Sequence, residues 1–133
     1  MNDPSVTIVF DGNGHAYEPS EVLAGEYRLE RVAPGSVKSV EVSVLWHTEG
    51  KGDEDMAVHE FWRLSTDDGD GIDPTRPARF STTLPNSPLS YDGLILKICW
   101  CVRVRVFFHR GKDLVGQKAF QLGGVPAVEV SES

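Results

Sequence analysis

The clearest pattern in the chain is a run of alternating apolar residues that begins at position 98. The intervening positions carry cysteine, arginine and one phenylalanine. A period of two over this length predicts a β-strand with one buried face and one face toward solvent. The apolar set comprises Ile98, Trp100, Val102, Val104, Val106 and Phe108. We expect this strand at the centre of the core, with Trp100 filling the space between two sheets.

The length of this strand is itself informative. It begins near Leu94, so it exceeds the usual strand length of about 3–10 residues. We therefore expect a bend or bulge between Cys101 and Arg103, which would allow the strand to serve both sheets.

A second alternating segment, from Val37 to His47, predicts the first arm of a hairpin. It is followed by the polar, glycine-containing stretch Thr48 to Asp55 and then by Met56 to Ser65, which again favours a strand. Two strands joined by a short polar loop form an antiparallel hairpin. One face of the first arm carries Val40, Val42, Val44 and Trp46, and the other carries Glu41, Ser43, Leu45 and His47.

The remaining segments also predict short strands separated by turn residues, and none has the apolar spacing of a helix. These strands are Val6–Phe10, a segment near Glu26–Val32, Ala78–Leu84 and Leu114–Leu122. About seven strands predict an all-β fold, a two-sheet antiparallel β-sandwich of the immunoglobulin-like kind. Residues 1–122 form this domain, and we expect 123–133 to be a loose tail because it combines glycine, proline and small residues.

Composition narrows the range of partners. The chain has 133 residues, a net charge of -7 and no basic block, so a phosphate backbone would repel it and we expect no nucleic-acid partner. We find no signal peptide and no apolar run of membrane-spanning length. The two cysteines, Cys99 and Cys101, are spaced too far along one strand for an easy disulfide. Free thiols without a signal indicate a cytoplasmic location.

Two histidines next to the polar loop are candidate metal ligands. If the hairpin closes symmetrically, His47 and His59 lie opposite each other with Cβ atoms about 4.5–5.5 Å apart. With Glu49 or Asp55 nearby, they would hold a divalent metal such as Zn²⁺. The alternative is a pair of surface histidines that bind no metal. This alternative is favoured because two ligands without a third make a weak metal site. We therefore assign no cofactor.

Two sequence motifs resemble those of arrestin-like domains. The segment from Tyr17 to Gly25 is similar to their opening, Y-x-P-G-E-x-V-x-G, with Ser20 in place of the first glycine. Their second half typically reads F-x-x-x-L-P-x-x-x-P-x-S-Y-x-G-x-x-x-x-I-x-W. The chain has the same residue types in the same order, with one residue fewer between the two prolines: Phe80, Leu84, Pro85, Pro88, Ser90, Tyr91, Gly93, Ile98 and Trp100. The chain thus resembles the arrestin-like superfamily, which includes arrestins, a retromer subunit and bacterial sporulation-control proteins, and it has room for a single such domain.

This resemblance implies a scaffold or adaptor that binds a protein partner, not an enzyme. No serine, cysteine or lysine has a local nucleophile motif. Acidic loop tips suit a basic partner, and we lean toward them as the recognition surface. The candidate partner-binding residues are Asp53, Glu54, Asp55, Asp68 and Asp70 in the loops, with Arg103 and Arg105 on the central strand.

Several alternatives remain open at this point. Together with Lys97, the two arginines form a cationic strip. We favour the interpretation that these cations pair with acidic side chains of the neighbouring strand over the one in which they bind a partner. An exposed edge strand is an alternative docking surface. The alternative function is a small metal- or ligand-binding protein that uses His47, His59 and the acidic loops. A homo-oligomer is a third alternative.

Overall fold

The computed structural model describes residues 3–52, 54–65 and 72–123, and strands dominate these ranges. The strands are β1 Ser5–Phe10, β2 Ala16–Tyr17, β3 Val22–Glu30, β4 Val37–Gly50, β5 Met56–Ser65, β6 Ala78–Thr83, β7 Tyr91–Asp92, β8 Leu96–Phe108 and β9 Leu114–Leu122. One 3₁₀ turn at Asp11–Asn13 follows β1. The predicted all-β class is confirmed. Apart from Gly123, the proposed tail lies outside the described residues, as does the acidic stretch 66–71.

The strands form two sheets. The smaller sheet has the order β1-β3-β6, and the larger has the order β2-β9-β8-β4-β5 with β7 added to β8. The short β2 pairs with β9 in parallel, whereas the other described pairings are antiparallel. The predicted hairpin of β4 and β5 is present. The two-residue strands β2 and β7 were not predicted, because two residues carry no alternation.

The central strand β8 is long, as expected, but the expected bulge is in the wrong place. Its pairing with β4 is regular from Leu96 to Phe107, and the register shifts only at the end, between Val37 and Ser39 of β4. The expectation of a bend near Cys101 to Arg103 that moves the strand between sheets is therefore wrong. The reason is that β4, with 14 residues, pairs with the whole length of β8, so β8 stays within one sheet.

The core lies where the alternation places it, between the facing sides of the sheets. Val40, Val42 and Val44 of β4 are buried, as are the core-facing residues of β8 from Trp100 to Val106. An aromatic cluster fills one end of this layer, with rings 5.7–6.4 Å apart and mostly edge to face. Its members are Phe10, Tyr17, Phe80, Trp100 and Phe120.

Trp100 is also tied to the segment that precedes its strand. Its side chain is 1% exposed, and its indole Nε1 donates a hydrogen bond of 2.8 Å to the carbonyl oxygen of Pro88. Ser90 continues the connection, because its backbone N–H and its hydroxyl both bond the backbone of Leu122 on β9. The proline- and serine-containing motif thus holds the approach to β8 against the core.

Gly25 allows the small sheet to pack closely. A Cβ atom at this position would clash with the backbone oxygen of Val9 and lie 3.0 Å from the ring of Phe80. Both neighbours belong to strands that flank β3 in the sheet. The glycine of the opening motif is therefore needed for a close approach and not for a turn.

The first expected outcome concerns the core. Trp100→Ala should lower the free energy of unfolding by about 3–5 kcal/mol, because it removes a fully buried aromatic side chain and leaves a cavity. Arg103→Ala, on the outer face of the same strand, should change it by less than about 0.5 kcal/mol. Urea denaturation measures both. A larger loss for Arg103→Ala would show that the two faces are inverted.

The second expected outcome concerns the close approach of backbone at Gly25. Gly25→Ala should destabilise the domain by about 1–3 kcal/mol, because the added methyl meets backbone that cannot rotate away. Val22→Ala, an exposed position on the same strand, is the matched control and should have little effect. Equal unfolding midpoints for Gly25→Ala and the unmodified chain would contradict this account of the motif glycine.

Candidate functional site

The outer face of the large sheet is less polar than the alternation indicates. Leu45 and Cys101 pair directly across β4 and β8 on the face opposite the core, and each is only 1% exposed. Their next neighbours in the same cross-strand row are Val58 on β5 and Ala119 on β9. The sheet therefore carries an apolar row on its outer face. The signal available in the sequence was Leu45, an apolar residue on the face expected to be polar.

Strand β5 is the most apolar exposed part of this sheet. It is ten residues long and ends the strand order, with β4 as its only neighbour among the described strands. Four of its large apolar side chains are about half exposed: Met56 at 55%, Val58 at 49%, Phe61 at 50% and Leu64 at 49%. Natural edge strands are usually short or charged, since a long apolar edge invites pairing with another chain.

The two histidines that sequence reasoning paired are not opposite each other. The register of the hairpin shifts between Val44 and Leu45, which pair with Glu60 and Val58, so His59 is the extra residue of a β-bulge. The residue opposite His47 on β5 is Met56. The expected face-to-face arrangement is therefore wrong, because one inserted residue changes the pairing of everything beyond it.

His59 instead links the edges of the two sheets. Its Nε2 lies 2.8 Å from the carbonyl oxygen of Thr83 and must carry the proton to donate there. The same nitrogen lies 3.3 Å from the hydroxyl of Thr82, which donates a bond of 2.8 Å to the Glu60 carboxylate. The imidazole also meets Trp100 edge to face, with ring centroids 6.2 Å apart. His59 therefore has a packing role between β5 and β6.

His47 belongs to a different group on the outer face. It pairs across the strands with Cys99, and Glu49 lies two residues along β4 on the same face. The His47 Nε2 and a Glu49 carboxylate oxygen are 3.0 Å apart. Ligand atoms of all three residues lie within 4.8 Å of one another. A hydrogen bond from His47 lowers the pKa of Glu49, and burial followed by the Glu49 charge raises the pKa of Cys99.

The second cysteine is separate from this group. Cys101 is buried, and that burial raises the pKa of its thiol. A protonated, inaccessible thiol is a poor nucleophile and a poor metal ligand. Cys101 therefore behaves as a small apolar side chain.

The acidic loop between β4 and β5 is shorter than expected. Strand β4 continues to Gly50, and the Thr48 backbone N–H donates to the Asp55 carbonyl oxygen at 2.9 Å. Of the predicted partner-binding acids, Glu54 and Asp55 are exposed here. Asp53, Asp68 and Asp70 lie outside the described residues. Their role in recognition stays a prediction.

The arginines of the cationic strip have partners within the domain. The Arg103 guanidinium donates to the Gln117 side chain at 3.1 Å, and Arg105 lies 3.7 Å from a carboxylate oxygen of Asp113. The Arg105 guanidinium also stacks 5.7 Å from the centroid of the Phe107 ring. These contacts agree with the pairing alternative, although Arg105 finds its acid in the turn before β9.

A groove separates the free edges of the two sheets on the side away from His59. Its volume is about 240 Å³, and most of the side chains around it are apolar. They are Tyr27, Val40, Val42, Trp62, Leu64, Ala78 and Phe80, with Arg79 and Ser81 among the lining residues.

No helix within the described ranges has the length and apolar character needed to span a membrane.

The thiols give a direct check of the outer face. With Ellman's reagent at pH 8, Cys99 in a Cys101→Ala chain should react faster than Cys101 in a Cys99→Ala chain, because Cys101 is the more buried. Both thiols should react more slowly than in denaturant, because burial raises their pKa and so reduces the thiolate fraction. Equal rates for folded Cys99 and Cys101 would show that Cys101 is not shielded.

Comparison with known proteins supports the fold. No family model matches the chain, and no curated protein matches its sequence. Spo0M, a sporulation control protein from Bacillus subtilis, superposes with a TM-score of 0.65 at 16% identity over 97% of this chain. The superoxide reductase neelaredoxin from Ignicoccus hospitalis superposes with a TM-score of 0.54 at 8% identity, over 90% of this chain and 80% of its own.

Identities this low show the fold alone. The chain spans about half the length of Spo0M, 53%. Spo0M is a sporulation control protein, a class that the sequence resemblance included. The comparison therefore supports that resemblance at the level of a shared β-sandwich, and membership of the arrestin-like superfamily stays a prediction.

Proposed function

We propose that this chain is a non-enzymatic interaction module that binds an extended segment of a partner protein along strand β5. The observation that carries the proposal is the ten-residue apolar edge, with four large side chains about half exposed. An edge strand presents unpaired backbone N–H and C=O groups on its open side, and an added strand satisfies them.

The bulge at His59 decides which part of the edge accepts a partner. A bulge interrupts regular pairing, and the residues after it, Glu60 to Ser65, keep an unbroken register with β4. In this half, Phe61 projects to the outer face, and Trp62 and Leu64 lie on the side of the groove. A partner strand added here would place alternate side chains on these two sides.

The groove supplies specificity for one set of those side chains. It is lined by apolar residues of both sheets and opens beside β5. Apolar side chains of the partner that enter it would be removed from water, at about 25 cal/mol for each Å² buried. The partner segment should therefore alternate, with apolar residues at every second position.

The chemistry of the outer face supports a role in binding more than in turnover. Burial raises the pKa of both thiols, so neither is an activated nucleophile at neutral pH. His59, which lies on β5 itself, donates its Nε2 proton to the Thr83 carbonyl oxygen and so has a packing role between the sheets.

A photo-crosslinking experiment tests the docking edge. Phe61 is replaced by the photoreactive amino acid p-benzoylphenylalanine, and irradiation in a native lysate is followed by mass spectrometry of the captured peptide. Val115 carries the same group in a control chain, because it is 47% exposed on the same face but lies on β9. We expect an alternating apolar peptide to be captured from position 61 and not from position 115.

Binding of the synthetic peptide then measures the contribution of the edge. Phe61→Asp should weaken binding at least about tenfold, because an uncompensated charge would be buried at the contact, and Val115→Asp should leave it unchanged. Weakening by Glu54→Gln or Asp55→Asn, with a flattened salt dependence, would assign recognition to the acidic loop instead. Crosslinking of the chain to itself would show that the edge binds a second copy of this chain and not a separate partner protein.

A further inference from the structure

Register places three different metal-ligand donors at one position on the outer face. His47 supplies an imidazole nitrogen, Glu49 a carboxylate and Cys99 a thiol, and their ligand atoms lie within 4.8 Å of one another. We propose that these three residues form a binding site for a divalent transition-metal ion of the zinc class. This site goes beyond the proposed docking function and stands independently of it.

The strands position the donors well for this purpose. His47 and Cys99 are direct cross-strand partners on the two central strands of the large sheet, and Glu49 follows two residues later on the same face. A tetrahedral zinc ion separates its nitrogen, oxygen and sulfur ligands by about 3.3–3.6 Å. The ligand atoms lie within 4.8 Å of one another, so the side chains would have to draw closer around a bound ion.

The donor set selects a class of ion. Calcium and magnesium bind through oxygen ligands, which a thiol and an imidazole do not provide. Nitrogen, sulfur and carboxylate oxygen together suit zinc and neighbouring first-row ions. Three protein ligands also leave a fourth tetrahedral position open to water or another ligand.

Local polarity supports a cation at this point. The Nδ1 atom of His47 is buried and has no hydrogen-bond partner among the described residues, so the ring is only partly satisfied by Glu49. The neighbouring Lys97 forms its ion pair with Asp92 on β7, at 3.7 Å, which lies on the opposite side of β8 from Glu49. Lys97 is also the direct cross-strand partner of Glu49, and its charge acts on both Glu49 and Cys99.

A surface depression borders one of the three donors, Cys99. The depression has a volume of about 430 Å³ and lies between β7 and β9. The polar side chains around the depression belong to Ser90, Tyr91, Asp92, Lys97 and Gln121. His47 and Glu49 lie on β4, on the other side of β8, so the depression borders the proposed site at Cys99 alone.

Cobalt substitution tests the site on the full chain in its reduced form. Titration with Co²⁺ should give one equivalent bound per chain, with visible absorption typical of tetrahedral Co²⁺ and a near-ultraviolet thiolate-to-cobalt band. Zn²⁺ should displace the Co²⁺, and calorimetry with Zn²⁺ alone should confirm one site. The proposal would be overturned if no Co²⁺ bound, or if the spectrum of bound Co²⁺ lacked the thiolate band.

Matched variants identify the ligands. Cys99→Ala should abolish the thiolate band and weaken Zn²⁺ binding by more than the roughly 10–100-fold that loss of an outer-shell partner causes. Cys101→Ala, on the same strand, should change neither. His47→Ala should weaken binding and the exposed His109→Ala should not.

The Glu49→Gln variant still tests the proposal if His47→Ala or Cys99→Ala fails to fold. Glu49 is 57% exposed at its side chain, so the substitution leaves packing intact while it removes the anionic oxygen donor. We expect a weakened Zn²⁺ affinity with an unchanged circular dichroism spectrum. Unchanged affinity in Glu49→Gln, or equal losses in Cys99→Ala and Cys101→Ala, would show that these three residues are not the site.

Discussion

Trp100 lies between the two sheets with 1% of its surface exposed, and it joins three parts of the chain that are distant in sequence. Its indole N–H binds the Pro88 carbonyl oxygen, its ring packs 5.7 Å from the Phe120 ring, and His59 of the edge strand meets it edge to face. These contacts fix the ring in one orientation, so it holds the segment before β8, strand β9 and the edge strand β5 together on the core side of the large sheet.

The burial of one face of β8 also decides what stands on the other face. A slip of one residue between β8 and β4 would turn the buried valines toward solvent, so their register is strongly specified. Because the register is specified from the core, His47 must lie opposite Cys99, and Leu45 must lie opposite Cys101. The proposed metal donors are therefore positioned by hydrophobic packing on the far side of the sheet.

The same sheet is asymmetric at its edge. The bulge at His59 directs that side chain toward β6, where its hydrogen bond to Thr83 joins the two sheets at one end. Toward Ser65 the two edges are separated by the apolar groove. One inserted residue thus divides β5 into a part that closes the sandwich and a part that borders the groove, where we propose that a partner docks.

The sequence by itself determined the class of fold, the hairpin of β4 and β5, the bounds of β9 and the inward position of Trp100. These features depend on a period of two and on local turn residues, which a single chain displays directly.

Only the tertiary structure decided the register. The irregularities lie on β4 and β5 and not on β8, His59 is separated from His47, and Glu49 and Cys99 lie beside His47 instead. An extra residue in a strand leaves the alternation on either side intact, so the periodic signal does not show where it lies. Which residues face each other across strands depends on the packing of side chains far apart in the chain, and that packing is a property of the folded domain.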